Sequence, residues 1–167
     1  KAADQLSLEL DVEHSRLLVT LTGNSKRSFS IPLIDVSHSE LPTPKIEFEA
    51  ELKMPAAVLQ DGLKDAQLIS THVVLGVVGE RFVLRANSSK GELNSETSKT
   101  AKGLTQLHAK SDCSAMFPLD YLSDMLKAAS SDTEVAVFVK NNAPVRVGYL
   151  VGPAQITYFL APRIESD

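Results

Sequence analysis

Apolar and polar residues alternate with a period of two along most of this chain, and this pattern constrains its fold more than any other feature. The alternation runs through residues 6–12, 46–52, 135–139 and 145–149. A strand with one buried face has this period, because successive side chains point to opposite faces of a sheet. In the run 46–52, for example, one buried face is expected to hold Ile46, Phe48, Ala50 and Leu52. Turn signals at Gly79-Glu80, Asn141-Asn142 and Gly152-Pro153 indicate antiparallel hairpins.

Two segments have the period of amphipathic helices. In the first, residues 55–68, Leu59, Leu63 and Ala66 share one face. In the second, residues 118–129, four apolar residues have i, i+3, i+4, i+7 spacing: Leu122, Met125, Leu126 and Ala129. Two short helices among many strands predict an α+β fold, with both helices packed on one face of antiparallel β-sheet. The tract 87–103, rich in Ser, Lys, Thr and Glu, is expected to hold an edge strand.

Composition excludes several classes of function. The 17 Lys and Arg residues against 21 Asp and Glu give a net charge of −4, which excludes a protein that grips nucleic acid through a bulk positive field. Cys113 is the single cysteine, so an intrachain disulfide and a cysteine-rich zinc site are excluded. It is expected to be a small buried apolar residue. No apolar run reaches the roughly 18 to 20 residues that cross a bilayer, so no membrane partner is predicted.

No reaction can be assembled from the titratable and nucleophilic residues. The four histidines are scattered, at positions 14, 38, 72 and 108, and none has the spacing of a metal-binding pair. Asp120 and Asp124 share a helix face but have no third ligand or partner base, so they are interpreted as a solvated surface. Nucleophile-elbow, phosphate-loop and dinucleotide motifs are absent from the sequence. The prediction is therefore a protein that is not an enzyme, with no cofactor and no metal.

The beginning and the end of the chain resemble each other. The segment Phe29–Asp35 matches Phe159–Glu165 in an F-x-x-P-x-I-acidic pattern, and the alternation of residues 6–10 matches that of residues 135–139. Upstream of both, Lys1-Ala2-Ala3 matches Lys127-Ala128-Ala129. Three matches in the same order indicate an internal repeat. Because the counterparts of residues 46–127 would precede Lys1, we expect a C-terminal fragment of a protein about 80 residues longer.

Several short motifs, spread in order over the whole chain, resemble the proliferating cell nuclear antigen (PCNA) family of sliding clamps. They are Ile34-Asp35, Leu41-Pro42, Lys53-Met54-Pro55, Asp120-Tyr121-Leu122, Lys127-Ala128, Pro144-Val145 and Tyr158-Phe159-Leu160-Ala161-Pro162-Arg163-Ile164-Glu165. The last is the most specific, and its Arg163 looks more like archaeal members. The resemblance implies a DNA-clamp fold, with residues 1–34 as the remnant of a first domain, 35–45 as the interdomain linker and 46–167 as a second clamp domain.

The resemblance also implies three functional surfaces. Lys64 and Lys127, on the outward faces of the helices, would face DNA without reading its sequence. A pocket for partner peptides would be formed by Leu41, Pro42, Pro144, Phe159, Leu160, Ala161 and Pro162. Head-to-tail contact between subunits would use two edge strands, through Lys26, Arg27, Phe29 and Ile31 on one and Glu92, Leu93 and Glu96 on the other.

The function implied is that of a DNA polymerase sliding clamp. It would encircle duplex DNA as a homotrimeric ring and recruit DNA polymerase, clamp loader, flap endonuclease and DNA ligase through their PCNA-interacting peptides. It would lie in the cytoplasm with the nucleoid if archaeal, and in the nucleus if eukaryotic. The alternative is a β-rich protein-interaction module not involved in DNA replication.

Overall fold

The computed structural model describes residues 4–34 and 43–163. These residues form two compact units, with the boundary between Pro44 and Lys45. The first unit is a three-stranded antiparallel sheet of β1 (Gln5–Asp11), β2 (Arg16–Thr22) and β3 (Lys26–Pro32), in that order.

One face of this first sheet is apolar. Leu8 pairs with Val19, and Val19 pairs with Phe29, so these three side chains lie on the same face. By the same register the face also holds Leu6, Leu10, Leu17, Leu21 and Ile31, with Arg27 at its end beside Leu21. Leu8 remains 61% exposed and Phe29 51% exposed. The period-two pattern therefore forms the expected one-sided sheet, and its apolar face is open in the described residues.

The second unit consists of two antiparallel sheets and two helices. Its elements are β4 (Ala50–Pro55), α1 (Ala56–Gln67), β5 (His72–Val78), β6 (Arg81–Ser88), β7 (Gly91–Ser98), β8 (Gln106–Ala109), β9 (Cys113–Pro118), α2 (Leu119–Met125), β10 (Glu134–Val139), β11 (Val145–Val151) and β12 (Ala154–Leu160). A five-stranded sheet has the order β12-β11-β10-β4-β8, and a four-stranded sheet has the order β7-β6-β5-β9. We call them the five-stranded sheet and the four-stranded sheet.

A single core joins these sheets and helices. Leu59 and Leu63 of α1 and Leu122 of α2 are at most 1% exposed, and they belong to the same apolar cluster as the inward side chains of both sheets. The α+β prediction, with two amphipathic helices on antiparallel sheet, is confirmed for the described residues. The tract 87–103 contains β7, which is an edge strand as expected.

Both helices begin directly after a strand that ends in proline. Pro55 and Pro118 are in extended conformations, and neither helix has a side-chain cap. Main-chain carbonyls replace the caps of α1: the N–H groups of Ala56 and Ala57 donate to Thr133 O and Ser131 O. The start of α1 is thereby joined to the loop that precedes β10.

The second helix is shorter than its periodicity predicts. It ends at Met125, whereas the apolar spacing continues to Ala129. Beyond Met125 the chain makes i→i−3 hydrogen bonds, from Leu126 N to Ser123 O and from Lys127 N to Asp124 O. The tighter turns still bury Leu126 and Ala129, so the same apolar pattern is satisfied without a continuous α-helix.

The strand expected over residues 46–52 is also different. Regular pairing begins at Ala50, and a bend at Glu49 precedes it. Phe48 therefore does not share the buried face of Ala50 and Leu52. Its ring lies 5.6 Å from that of Phe138, which is on the outer face of the five-stranded sheet.

Gly76 provides a test of how closely the strands of the four-stranded sheet pack. A Cβ at Gly76 would lie 2.5 Å from the carbonyl oxygen of Cys113, whereas a Cβ at Gly148 would meet nothing closer than Ile156 O at 3.5 Å. We expect Gly76→Ala to lower the free energy of unfolding by about 1–3 kcal/mol, because the neighbouring backbone must move. Urea unfolding followed by circular dichroism measures this. Gly148→Ala is the control, expected to change stability by less than about 0.5 kcal/mol, and equal effects would contradict the packing argument.

Candidate functional surfaces

The two helices form a shallow groove that contains both predicted DNA-facing residues. Lys64 of α1 and Lys127, just after α2, line a groove of about 250 Å³. Its other lining residues are Gln60, Leu63, Gln67, Ser123 and Leu126. Leu63 and Leu126 are buried at its base, so the lysines and glutamines form the accessible rim. Two lysines separated by 63 positions in the sequence are thus brought to one surface.

The charge of this helix surface is mixed. Lys127 Nζ lies 2.7 Å from the Asp124 carboxylate, and this hydrogen bond raises the pKa of the exposed Lys127 above its usual value. Asp61, Asp65 and Asp120 are also exposed on the helices. With two lysines against four aspartates, this surface cannot bind an anion strongly through net charge alone.

Gln60 holds the end of the second helix against the first. Its Nε2 donates to Leu126 O at 3.2 Å and to Ala129 O at 3.1 Å. These carbonyls belong to the tight turns after α2, where the helix can no longer satisfy them. Sequence reasoning missed Gln60, because a polar residue on an amphipathic helix gives no sign of a partner 66 or 69 positions away.

The predicted pocket residues near the end of the chain lie on two different faces. Leu160, the last residue of β12, pairs with Val145 and packs against the core. Phe159 pairs with Arg146 and lies on the opposite, outer face. Pro144 and Ala161 immediately precede β11 and follow β12, so they lie beside each other at this end of the ladder.

The last described residues are anchored to the four-stranded sheet. Arg163 N donates to Met116 O at 2.7 Å, and Arg163 Nη1 donates to His72 Nε2 at 2.7 Å. Pro162 is held between this anchor and β12. Leu41 and Pro42, the two pocket residues predicted in the linker, lie outside the described residues.

The two strands predicted to join subunits are edge strands of their sheets. β3 pairs only with β2, and β7 pairs only with β6, in the part of the chain that the structure describes. Each therefore leaves one row of backbone N–H and C=O groups available to a further strand. β3 carries Lys26, Arg27, Phe29 and Ile31, and β7 carries Glu92, Leu93 and Glu96.

The charges on these two edges have opposite sign. Lys26 and Arg27 are exposed on β3, where Arg27 forms an ion pair with Asp4. Glu92 and Glu96 are exposed on β7. The Arg81 guanidinium donates to Glu96 at 2.7 Å and holds the pKa of this carboxyl below its usual value. Leu93 is on the other face of β7, packed against the core.

The remaining titratable groups that the structure describes form no recognisable chemical centre. In the ranges 4–34 and 43–163, no group of three or more His, Cys, Asp or Glu residues is placed to hold a metal ion. Cys113 is buried as expected, and burial raises the pKa of its thiol to about 11. None of the described helices is long and apolar enough to span a membrane.

A cluster that sequence reasoning missed lies on the outer face of the five-stranded sheet. The Arg146 guanidinium carbon is 3.6 Å from the centre of the Phe138 ring and 5.3 Å from that of Phe48. Alternation within β11 places Arg146 on the outer face, but only the pairing with β10 and the bend at Glu49 bring the rings to it.

The fold, with two helices on antiparallel sheets, is that of a DNA clamp. Residues 42–164 match the model of the proliferating cell nuclear antigen C-terminal domain. A DNA polymerase sliding clamp of Methanococcus vannielii is 36% identical over 172 residues, which cover 99% of this chain and 68% of the relative. The chain belongs to the proliferating cell nuclear antigen family, as the sequence resemblance predicted.

Two solved structures agree with this assignment. A. fulgidus PCNA bound to the C-terminal region of FEN-1 is similar with a TM-score of 0.78 and 28% identity, covering 100% of this chain and 67% of that one. The PCNA2-PCNA3 complex of Sulfolobus tokodaii has a TM-score of 0.76 and 25% identity, covering 96% and 65%. The DNA-clamp fold class is confirmed, and the chain spans about two thirds of the length of these proteins.

The bonds made by Gln60 give a prediction for the helix surface. In Gln60→Ala, two carbonyls lose their hydrogen-bond donor. We therefore expect amide hydrogen exchange at Lys127 and Ala129 to accelerate about 5- to 30-fold, which corresponds to a loss of about 1–2 kcal/mol in the free energy of local opening. Hydrogen exchange measured by NMR checks this. Gln67→Ala, a change on the exposed surface of the same helix, is the control. Unchanged protection in Gln60→Ala would show that the turns after α2 do not depend on this side chain.

Proposed function

We propose that the chain is part of a homotrimeric sliding clamp that encircles duplex DNA and recruits replication and repair enzymes. The observation that carries this proposal is the helix groove, in which Lys64 and Lys127 lie together on one surface. The edges of β3 and β7 carry charges of opposite sign and pair with one strand each among the described residues, which supports head-to-tail closure, since a strand added at each edge would extend both sheets. The Sulfolobus tokodaii complex is an assembly of related chains and supports self-association.

The proposed DNA contact is weak and independent of sequence. Lysines at the rim of a shallow groove can reach phosphates, but no side chain there is held to read base edges. Contacts of this kind exchange readily, because all phosphates along a duplex are equivalent. The helix surface therefore suits movement along DNA, with the ring itself preventing escape.

The proposed partner pocket lies on the outer face near the ends of β11 and β12. Pro144, Phe159 and Ala161 would contact the apolar side chains of a partner peptide, together with Leu41 and Pro42 from the linker. Leu160 would support the pocket from the core side, where it packs. The A. fulgidus structure contains FEN-1, which supports a flap endonuclease as one partner. DNA polymerase, clamp loader and DNA ligase are proposed as other partners.

The archaeal relatives of this chain support a cytoplasmic location on DNA.

Reversing the charges in the helix groove tests the DNA contact. In an assembled clamp, Lys64→Glu with Lys127→Glu should reduce polymerase processivity, and the loss should grow as salt is lowered because the like-charge repulsion is less screened. Primer extension on single-primed circular DNA measures this over a range of salt.

The matched control is Lys53→Glu. Leu52 and Met54 face the core, so Lys53 lies on the outer face of the five-stranded sheet, away from the helices. Equal losses in the control and the double variant, or full processivity of the double variant at low salt, would contradict a DNA-facing helix groove.

Phe159→Ala tests the partner pocket. Because this aromatic ring is on the outer face, its removal should weaken binding of a peptide with a glutamine and a C-terminal aromatic pair by about 10- to 100-fold. Isothermal titration calorimetry measures the affinity. Tyr121→Ala removes an aromatic side chain that is 62% exposed on α2, and should leave the affinity unchanged. Wild-type affinity in Phe159→Ala would favour the alternative, a β-rich interaction module unrelated to replication.

A further inference from the structure

Rows of large and small side chains cross the outer face of the five-stranded sheet. Strand pairing sets Phe138, Arg146 and Phe159 side by side on β10, β11 and β12. The next outward row on the same strands is Ala136, Gly148 and Thr157. Because the second row is much smaller, it lies at the bottom of a trough bounded by the first. We call the first row the aromatic–arginine ridge.

The trough has a volume of about 680 Å³. Phe138 and Arg146 of the ridge bound one side, and Glu134, Leu150 and Gln155 bound the other. Leu150 is 62% exposed, so the trough offers an apolar contact as well as polar ones. It runs across the strands, with Gly148 at its centre, and has the breadth of a few residues of extended peptide.

Among the described residues, the positive charge in the trough has no ion-pair partner. Arg146 forms no ion pair or hydrogen bond within the described residues, and its guanidinium carbon lies over the Phe138 ring, 3.6 Å from the ring centre. Glu51, the acid nearest to it along the same row, is separated from it by the strand that carries Phe138. Glu134, at the opposite side, is engaged by Thr105 Oγ1 at 3.1 Å. A guanidinium that lies over an aromatic ring, with no hydrogen-bond acceptor among the described residues, is suited to a carboxylate.

We propose that this trough is a second docking site, which binds a linear segment of a partner protein that carries a carboxylate for Arg146 and an apolar side chain for Leu150. The positive charge of Arg146 favours a carboxylate on the peptide. Gly148 has no side chain, so the peptide backbone can lie close to the sheet at this position. Along β11, Arg146 lies between Gly148 at the floor of the trough and Pro144 of the proposed pocket. The site goes beyond the proposed clamp function, because it requires neither ring closure nor DNA.

Gly148 offers a way to block the trough without disturbing the fold. A Cβ there would have only ordinary contacts, at 3.5 Å from Ile156 O and 3.9 Å from Thr157 Oγ1. In Gly148→Val the two methyl groups would fill the floor, and valine is well suited to a strand. Arg146→Glu provides an independent variant that reverses the charge and leaves the floor open. Thermal unfolding shows whether each variant folds.

The experiment is a selection from a displayed library of random linear heptapeptides. The library is first depleted on the full chain bearing Gly148→Val, which removes ligands of every other surface, and is then selected on the unaltered chain. We expect selected peptides enriched in Asp or Glu together with Leu, Ile or Phe. A synthetic selected peptide should bind Arg146→Glu about tenfold or more weakly. Arg85→Glu, an equal charge change on the four-stranded sheet, should not alter binding.

Two further measurements complete the test. Amide chemical shifts on adding the peptide should change at Ala136, Gly148 and Thr157. The proposal is overturned if depletion leaves no binding peptides, if those recovered lack acidic residues, or if Arg146→Glu binds them as well as the unaltered chain does. It is also overturned if sedimentation shows self-association that Gly148→Val abolishes, because the trough would then hold a second copy of this chain.

Discussion

The two sheets of the second unit each bury one apolar face, and this requirement determines the rest of that unit. In the second unit the inward faces of two sheets and two helices meet, so that Val135, Val137 and Val139 are fully buried. The helices are placed by the same requirement, because each begins where a strand ends and turns its apolar residues toward that core. The first unit has the same period-two pattern without helices, and its apolar face remains open among the described residues. Burial, more than helix propensity, therefore places the helices whose outer surface forms the lysine groove.

The two segments of the expected internal repeat share a pattern of strand pairing. In the first unit Val19 lies between Leu8 and Phe29, and in the second Val147 lies between Val137 and Tyr158. By strand register, the counterpart of Phe29 is therefore Tyr158, whereas the sequence alignment pairs Phe29 with Phe159. A shift of one residue along a strand moves every side chain to the opposite face of the sheet. The sequence alignment would therefore place Phe159, which lies on the outer face, in the core. The pairing explains why Phe159 is available to the outer face.

The sequence predicts those features that depend on neighbours along the chain, and it fails where distant segments meet. The buried faces of Leu52 and Val137 follow from alternation, and the buried face of α1 follows from the spacing of Leu59 and Leu63. The bend at Glu49 does not follow, because it is fixed from outside the strand: Glu49 N donates to Val139 O, and the Glu49 carboxylate accepts from Asn141 N. That bend turns Phe48 outward. The helical spacing predicts that Lys64 projects from the outer face of α1, but it does not predict the bonds of Gln60 that hold α1 to the turns after α2.

The helix surface limits how the proposed clamp can hold DNA. A protein that binds duplex DNA by neutralising phosphates needs about six to ten such contacts for an affinity with a steep salt dependence. This unit contributes two lysines, one of which is already paired with Asp124, among four aspartates. The net charge of −4 makes long-range attraction weaker still. A closed ring removes the need for such affinity, since a duplex that passes through it cannot leave sideways. The few lysines then have only to keep the duplex from the acidic side chains, and weak contacts favour sliding over arrest.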